Sequence, residues 1–185
     1  MMTESTITKS NYFRLSLLVI LLILIILGSY WLRYQNDWQT KQEPPSPRPD
    51  FSLPDLQGKM HSISQWNGKV IVVNFWATWC PPCIREIPHF VQMQQQYTDK
   101  GLQIIGIAID NPVAVKRFVN QNRINYPILV DQENQAQAIA IAQEFGNQYG
   151  TLPFTVIIDQ QGMIVIRYPG ELDPQTLEEM ILSLF

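Results

Sequence analysis

A chain of 185 residues has room for one globular domain and a short accessory segment, and not for two well-cored domains. Its 13 Lys and Arg against 16 Asp and Glu give a formal net charge of -3, with no basic field of the kind phosphate backbones require, so nucleic acid is not an expected partner. The 46% apolar content is ordinary in amount but concentrated near the N-terminus, and that block stands apart from the fold.

Residues 1–14 read as a short cytoplasmic tail. Residues 15–32, LSLLVILLILIILGSYWL, carry no charge and as a helix would span roughly 27 Å, enough to just cross a bilayer core. Arg14 and Arg33 bracket this run, and Tyr12, Tyr30 and Trp31 are residue types favoured at a membrane interface. The pattern predicts an uncleaved single-pass membrane anchor. A cleaved signal peptide is the rival reading, for which Gly28-Ser29-Tyr30-Trp31 is a poor version of the small-x-small cleavage site. Lys9 and Arg14 before the span and Arg33, Lys41 and Arg48 after it leave the orientation open on charge alone; the signal-anchor arrangement, with the following domain translocated across the membrane, is the expected one. Residues 33–50 are polar, with four prolines between Gln35 and Asp50, and read as an extended linker.

The domain proper is expected over 51–185. Gln57-Gly58-Lys59 predicts a turn before a short strand at Met60–Ile63. Lys69–Ala77, KVIVVNFWA, is a continuous apolar and β-branched run, the signature of a central strand buried on both faces. Pro81–Thr98 then fits an amphipathic helix with a kink expected at Pro88. Strand and helix patterns alternate afterwards: Leu102–Ile109, Pro112–Asn122, Pro127–Val130 and Asn134–Phe145. Phe154–Ile158 and Met163–Tyr168 predict an antiparallel hairpin, and Pro174–Leu184 a closing helix capped by Asp173. The fold class is α/β, a mixed central sheet flanked by helices.

The chain has two cysteines, both in Trp79-Cys80-Pro81-Pro82-Cys83. Two intervening residues at a helix start bring the sulfurs within bonding distance in a small ring that opens and closes readily. The partial positive charge of the helix N-terminus favours the Cys80 thiolate, the attacking species in disulfide exchange, and Cys83, one turn inside, is placed to resolve the mixed disulfide. Pro81 and Pro82 remove two backbone N–H donors that would otherwise stabilise that thiolate, which predicts a reducing poise. Half of a zinc site and an inert structural disulfide are the alternatives. A closed zinc site needs four ligands, and only His61 and His89 are left, neither at ligand spacing, so no metal is expected. No GxGxxG or other cofactor fingerprint occurs, so no cofactor is expected either.

At Val73-Asn74-Phe75-Trp76-Ala77-Thr78-Trp79-Cys80-Pro81-Pro82-Cys83 the chain resembles the thioredoxin superfamily, and specifically its TlpA/ResA branch of anchored bacterial thiol-disulfide reductases. Phe51-Ser52-Leu53 with Gly58-Lys59, Glu86 and Pro88 after the second cysteine, and an inserted helix and strand over about 111–130 extend the likeness to nearly all of 51–185. The resemblance implies a thioredoxin-like fold and a reductase of protein disulfides whose relatives serve cytochrome c maturation or copper-site assembly. It also implies that Tyr149-Gly150-Thr151-Leu152-Pro153-Phe154-Thr155 is the cis-proline loop, with Pro153 cis and the Leu152 backbone open to a substrate chain; a trans proline starting an edge strand is the alternative. Trp79, Pro81 and Pro82 are expected to share that substrate-binding face.

One departure is Asn74, where ordinary thioredoxins carry a buried aspartate; the resemblance then makes Glu86 the candidate for adjusting thiol protonation, although the helix dipole alone also favours a glutamate there. The expected partners are disulfide-bonded client proteins, a transmembrane thiol donor of electrons and the inner membrane. Two other functions compete. A peroxiredoxin-like peroxidase would need threonine at Ala77, and Thr78 is one residue off register; a copper carrier would need a histidine suitably placed beside the cysteines.

Overall fold

The computed structural model describes residues 17–31 and 44–185. Residues 17–31 form a helix, α1, whose large apolar side chains are all exposed. Fifteen residues make a helix of about 22 Å, and among the described residues no helix is long and apolar enough to cross a membrane. The expected tail 1–14, the ends of the expected anchor at Leu15, Ser16 and Leu32, and residues 33–43 lie outside the described residues.

Residues 44–185 form a separate compact unit. In chain order it consists of β1 (Ser46–Pro47), β2 (Ser52–Pro54), β3 (Met60–Ser62), a 3-10 turn (Ile63–Trp66), β4 (Val70–Trp76), α2 (Pro81–Tyr97), β5 (Leu102–Ala108), α3 (Pro112–Asn122), β6 (Ile128–Val130), α4 (Ala136–Glu144), β7 (Phe154–Ile158), β8 (Met163–Pro169) and α5 (Pro174–Leu182). The main sheet runs β1-β8-β7-β4-β5-β6, and β2 pairs with β3 in a separate ribbon. β4, β5 and β6 are parallel, whereas β7, β8 and β1 join antiparallel. This is the mixed sheet of a thioredoxin-like fold, and the insertion expected near 111–130 is present as α3 and the edge strand β6.

The linker expected over 33–50 needs correction at its end. Ser46 and Pro47 pair with Ile164 and Met163 of β8, so the sheet reaches back into the proline-rich stretch. An edge strand tolerates proline because only one side of it needs donors. Arg167 secures this strand, donating from Nη2 to Ser46 Oγ at 2.6 Å and from Nε to the Phe145 carbonyl at 3.0 Å. Helix α2 runs through Pro88 as a single element from Pro81 to Tyr97.

Every residue of β4 is buried, and its side chains alternate between two cores. Val70, Val72 and Trp76 face a cluster with Ile87, Phe90 and Met93 of α2, Val115 of α3 and Leu177 and Ile181 of α5. Ile71, Val73 and Phe75 face the other way, onto Ala138, Ile141 and Ala142 of α4, followed by Phe145, and onto Ile63 and Trp66. Burial on both faces is why the strand is apolar at every position but Asn74 rather than alternating.

Gly106 of β5 lies against the first core, where a Cβ would stand 2.5 Å from Ile128 Cδ1 and 3.0 Å from Trp76 Nε1. The isoleucine end can swing aside but the indole cannot. Gly106→Ala is therefore expected to destabilise the oxidised protein by about 1–3 kcal/mol, measured by urea denaturation; an unchanged midpoint would show that the indole has room to move.

Candidate active site

β4 ends at Trp76 and α2 begins at Pro81, which puts Cys80 at the helix N-cap with extended backbone, φ −97° and ψ 102°. The first two helical positions are prolines, so the first backbone donor available to the cysteine is Cys83 N–H, whose nitrogen lies 3.3 Å from Cys80 Sγ. Cys80 and Cys83 form a disulfide, S–S 2.05 Å, so the structure describes the oxidised pair. Both cysteines are buried, at 4% and 1% exposure, while the neighbouring Trp79 is 66% exposed. Pro81 is exposed and Pro82 half-buried.

The segment before Cys80 is fastened from outside its own sequence. Asp110, just past β5, accepts from the Thr78 backbone N–H at 2.9 Å and from the Thr78 hydroxyl through the same oxygen. Its other oxygen accepts from Asn111 N–H at 2.6 Å. Thr78, the residue one position off register for a peroxidatic threonine, is thus occupied in shaping the turn.

The sheet carries the later loop to the same place. Phe75 is registered opposite Phe154, so Leu152 and Pro153 lie beside the continuation of β4 towards the cysteines. The Leu152–Pro153 peptide bond is cis. Pro153 is buried and Leu152 half-buried. Asn147 braces this loop, its side chain accepting from Thr151 N–H and donating to the Thr151 carbonyl, each at 2.9 Å.

Behind the first turn of α2 lies a small buried polar group. Asn74 is registered opposite Thr155, and its Nδ2 donates to Thr155 Oγ1 at 3.0 Å; both residues are buried. Glu86, one turn along α2 from Cys83, is 4% exposed. Its Oε1 accepts from Leu172 N–H at 2.6 Å, and its Oε2 is buried with no hydrogen-bond partner among the described residues. Burial pushes the Glu86 carboxyl up to about 7, with the negative charge of Glu171 adding to the rise and the Leu172 N–H, Asn74 and Arg85 opposing it. Burial and the Glu86 charge also hold the Tyr126 phenol far above its ordinary value.

Of the residues singled out in the sequence, Trp79, Cys80, Pro81, Pro82 and Cys83 fall in one turn, Glu86 stands one turn behind, and Leu152 and Pro153 arrive beside them through the sheet. The histidines do not join them: His61 bonds to Asp55 at 2.9 Å and to Gln65 at 2.9 Å, and stacks on Trp66. Among the described residues no group of three or more His, Cys, Asp or Glu is placed to hold a metal ion. Asp110, Thr155 and the Leu172 N–H have no signal in the sequence near the cysteines; each is contributed by a distant segment.

The AhpC/TSA family matches residues 45–167 of this chain. Thiol-disulfide oxidoreductase ResA of Bacillus thuringiensis subsp. konkukian is 30% identical over 171 residues, 89% of this chain and 94% of that protein. Thiol-disulfide oxidoreductase ResA of Geobacillus thermodenitrificans is 28% identical over 174 residues, 92% of this chain and 96% of its own. The crystal structure of a thiol:disulfide interchange protein of the thioredoxin family from Chlorobium tepidum aligns with a TM-score of 0.67 and 28% identity, over 77% of this chain and 97% of that one.

A carboxyl that ionises near 4.5 in the unfolded chain and near 7 in the folded one binds more protons when folded between those values. Stability of the oxidised protein should therefore fall as pH rises from about 4.5 to about 7 and level off above, by at most about 3 kcal/mol. Glu86→Gln stays neutral, so its stability relative to wild type should grow by a similar amount between pH of about 5 and about 8 in urea titrations. A difference that stays constant with pH would show that Glu86 is not the group responsible.

Proposed function

We infer, because the chain belongs to the AhpC/TSA family and to the ResA-type thiol-disulfide oxidoreductases, that it reduces disulfides of client proteins on the periplasmic side of a bacterial inner membrane. The observation that carries the chemistry is the Cys80–Cys83 disulfide at a helix N-cap with a buried carboxyl, Glu86, one turn behind it and held by the Leu172 N–H.

In the reduced enzyme the Cys80 thiolate attacks one sulfur of a client disulfide, and the client's other sulfur leaves as a thiolate and takes up a proton. Cys83 then loses its proton, for which Glu86 is the nearby acceptor along the helix, and its thiolate attacks Cys80 Sγ. The client leaves as a dithiol and the enzyme as the disulfide that the structure describes. Two electrons have moved to the client. The cycle closes when a membrane thiol carrier returns two electrons and two protons to the pair.

The reducing direction is supported by Pro81 and Pro82. With both lacking an N–H, only Cys83 N–H donates to Cys80 Sγ in the first turn, so the thiolate is moderately rather than strongly stabilised. The membrane tether is supported by the uncharged run 15–32, of which 17–31 is a helix with apolar side chains exposed on every face.

The reduction potential of the pair tests the direction: a value near thioredoxin's, about −270 mV, is expected, and one near the −120 mV or so of a strong oxidase would reverse it. Cys83→Ser should accumulate mixed disulfides through Cys80, and Cys80→Ser should lose insulin-disulfide reduction to background. Since the chain has only two cysteines, labelling of intact cells with a membrane-impermeant maleimide after mild reduction reports the side of the domain. Labelling only after lysis would place the site in the cytoplasm and end the periplasmic reading.

A further inference from the structure

Helix α2 is joined to the loop between β8 and α5 at two adjacent points. On the solvent side Arg85 Nε donates to Glu171 Oε1 at 2.8 Å and its Nη2 donates to Glu171 Oε2, a bidentate pair whose side chains are 60% and 39% exposed. On the core side the next residue of each segment repeats the connection, Leu172 N–H donating to Glu86 Oε1 at 2.6 Å. Both links ride on the same two stretches of backbone, Arg85–Glu86 and Glu171–Leu172, so neither can shift without straining the other.

An isolated exposed ion pair contributes little to stability. A bidentate guanidinium–carboxylate pair does, however, restrict orientation as well as distance. Beyond these links the loop is held by Gly170 N–H donating to the Pro153 carbonyl at 2.8 Å and by the buried Leu172 side chain, while Asp173 is turned to its own helix, accepting from Thr176 N–H at 2.9 Å. The exposed pair is thus, among the described residues, the one side-chain link that ties Glu171 to the active-site helix.

We propose that Arg85 and Glu171 are positioning residues of the active site, a clamp that keeps the Leu172 N–H on Glu86 and, through Glu86, sets the protonation of the Cys80–Cys83 thiols. Neither touches the reacting sulfurs. The proposal rests on the reading above in which Glu86 acts on the working pair. The groups that act on Glu86 are Asn74 from β4, Tyr126 ahead of β6, and the Leu172 N–H with the Glu171 and Arg85 charges around the loop. Of these, only Arg85 and Glu171 can be neutralised at the surface without disturbing the core.

A clamp and a simple field effect give opposite signs. As charges alone, Arg85 lowers and Glu171 raises the Glu86 pKa, so neutralising them would move it in opposite directions. As a clamp, breaking the pair from either side weakens the same Leu172 bond to the carboxylate and moves the pKa upward both times.

The test uses the full chain in its oxidised form, where the cysteines do not titrate, with the Glu86 carboxyl followed by 13C NMR and identified by its loss in Glu86→Gln. Arg85→Met and Glu171→Gln should each raise the Glu86 midpoint by about half a pH unit, the double variant by no more than either, and the exchanged pair Arg85→Glu with Glu171→Arg should return it towards wild type. Shifts of opposite sign, or none, would overturn the clamp. In the reduced chain the pH midpoint of Cys80 alkylation by iodoacetamide should move with the carboxyl. An alkylation midpoint that Glu86→Gln itself leaves unmoved would overturn the link to the thiols, while the carboxyl resonance still decides the clamp on its own.

Discussion

A strand buried along its whole length cannot end gradually, because the backbone groups beyond its last paired residue must find partners at once. After Trp76 they do so in three ways: the Trp76 carbonyl accepts from Ile109 N–H at 2.9 Å, the Ala77 carbonyl from Cys80 N–H at 3.2 Å, and Thr78 N–H is taken by Asp110. The chain is left with one way forward, into a helix whose first turn opens at Cys80. The redox pair is therefore a consequence of how the central strand terminates. A cysteine at that N-cap experiences the unpaired donors of a helix start, and a second cysteine three residues on lies one turn deeper, within bonding reach.

The polar group behind the first turn of α2 is costly in folding terms and is retained inside an otherwise apolar core. Asn74 and Thr155 satisfy one another across adjacent strands, but one oxygen of Glu86 and Trp76 Nε1 are buried with no hydrogen-bond partner among the described residues. Such exceptions are uncommon in native interiors and concentrate where chemistry needs an awkward group. Here burial raises the carboxyl to about 7. Asn74 lies on β4 and Glu86 on α2, and the surroundings of that carboxyl are completed by the loop that carries Leu172.

That loop and the segment 44–50 show how the ends of the domain are drawn into its function and its sheet. Ser46 and Pro47 complete the sheet edge beside β8, with Arg167 bridging Ser46 and the end of α4. β8 then leads into the loop 170–172, which reaches back to α2. One strand thus connects the start of the domain to the buried carboxyl of α2.

The order and type of the elements were legible in the sequence because they rest on local pattern: an unbroken apolar run for β4, helical spacing for α2, turn residues for the β7–β8 hairpin, and Asp173 three residues before Thr176 for the cap of α5. The cysteine spacing, together with its place between a strand and a helix start, likewise pointed to redox chemistry for the pair. Residue type and neighbours could not reveal that Glu86 is buried, that Asp110 holds Thr78 across 32 residues, or that Arg85 and Glu86 meet Glu171 and Leu172 across 86. Nor could they show that Ser46–Pro47, in a stretch whose composition suits a linker, pairs with β8. Those contacts exist only once the sheet has brought distant segments together, because a hydrogen bond across a fold leaves no periodicity in either segment that makes it.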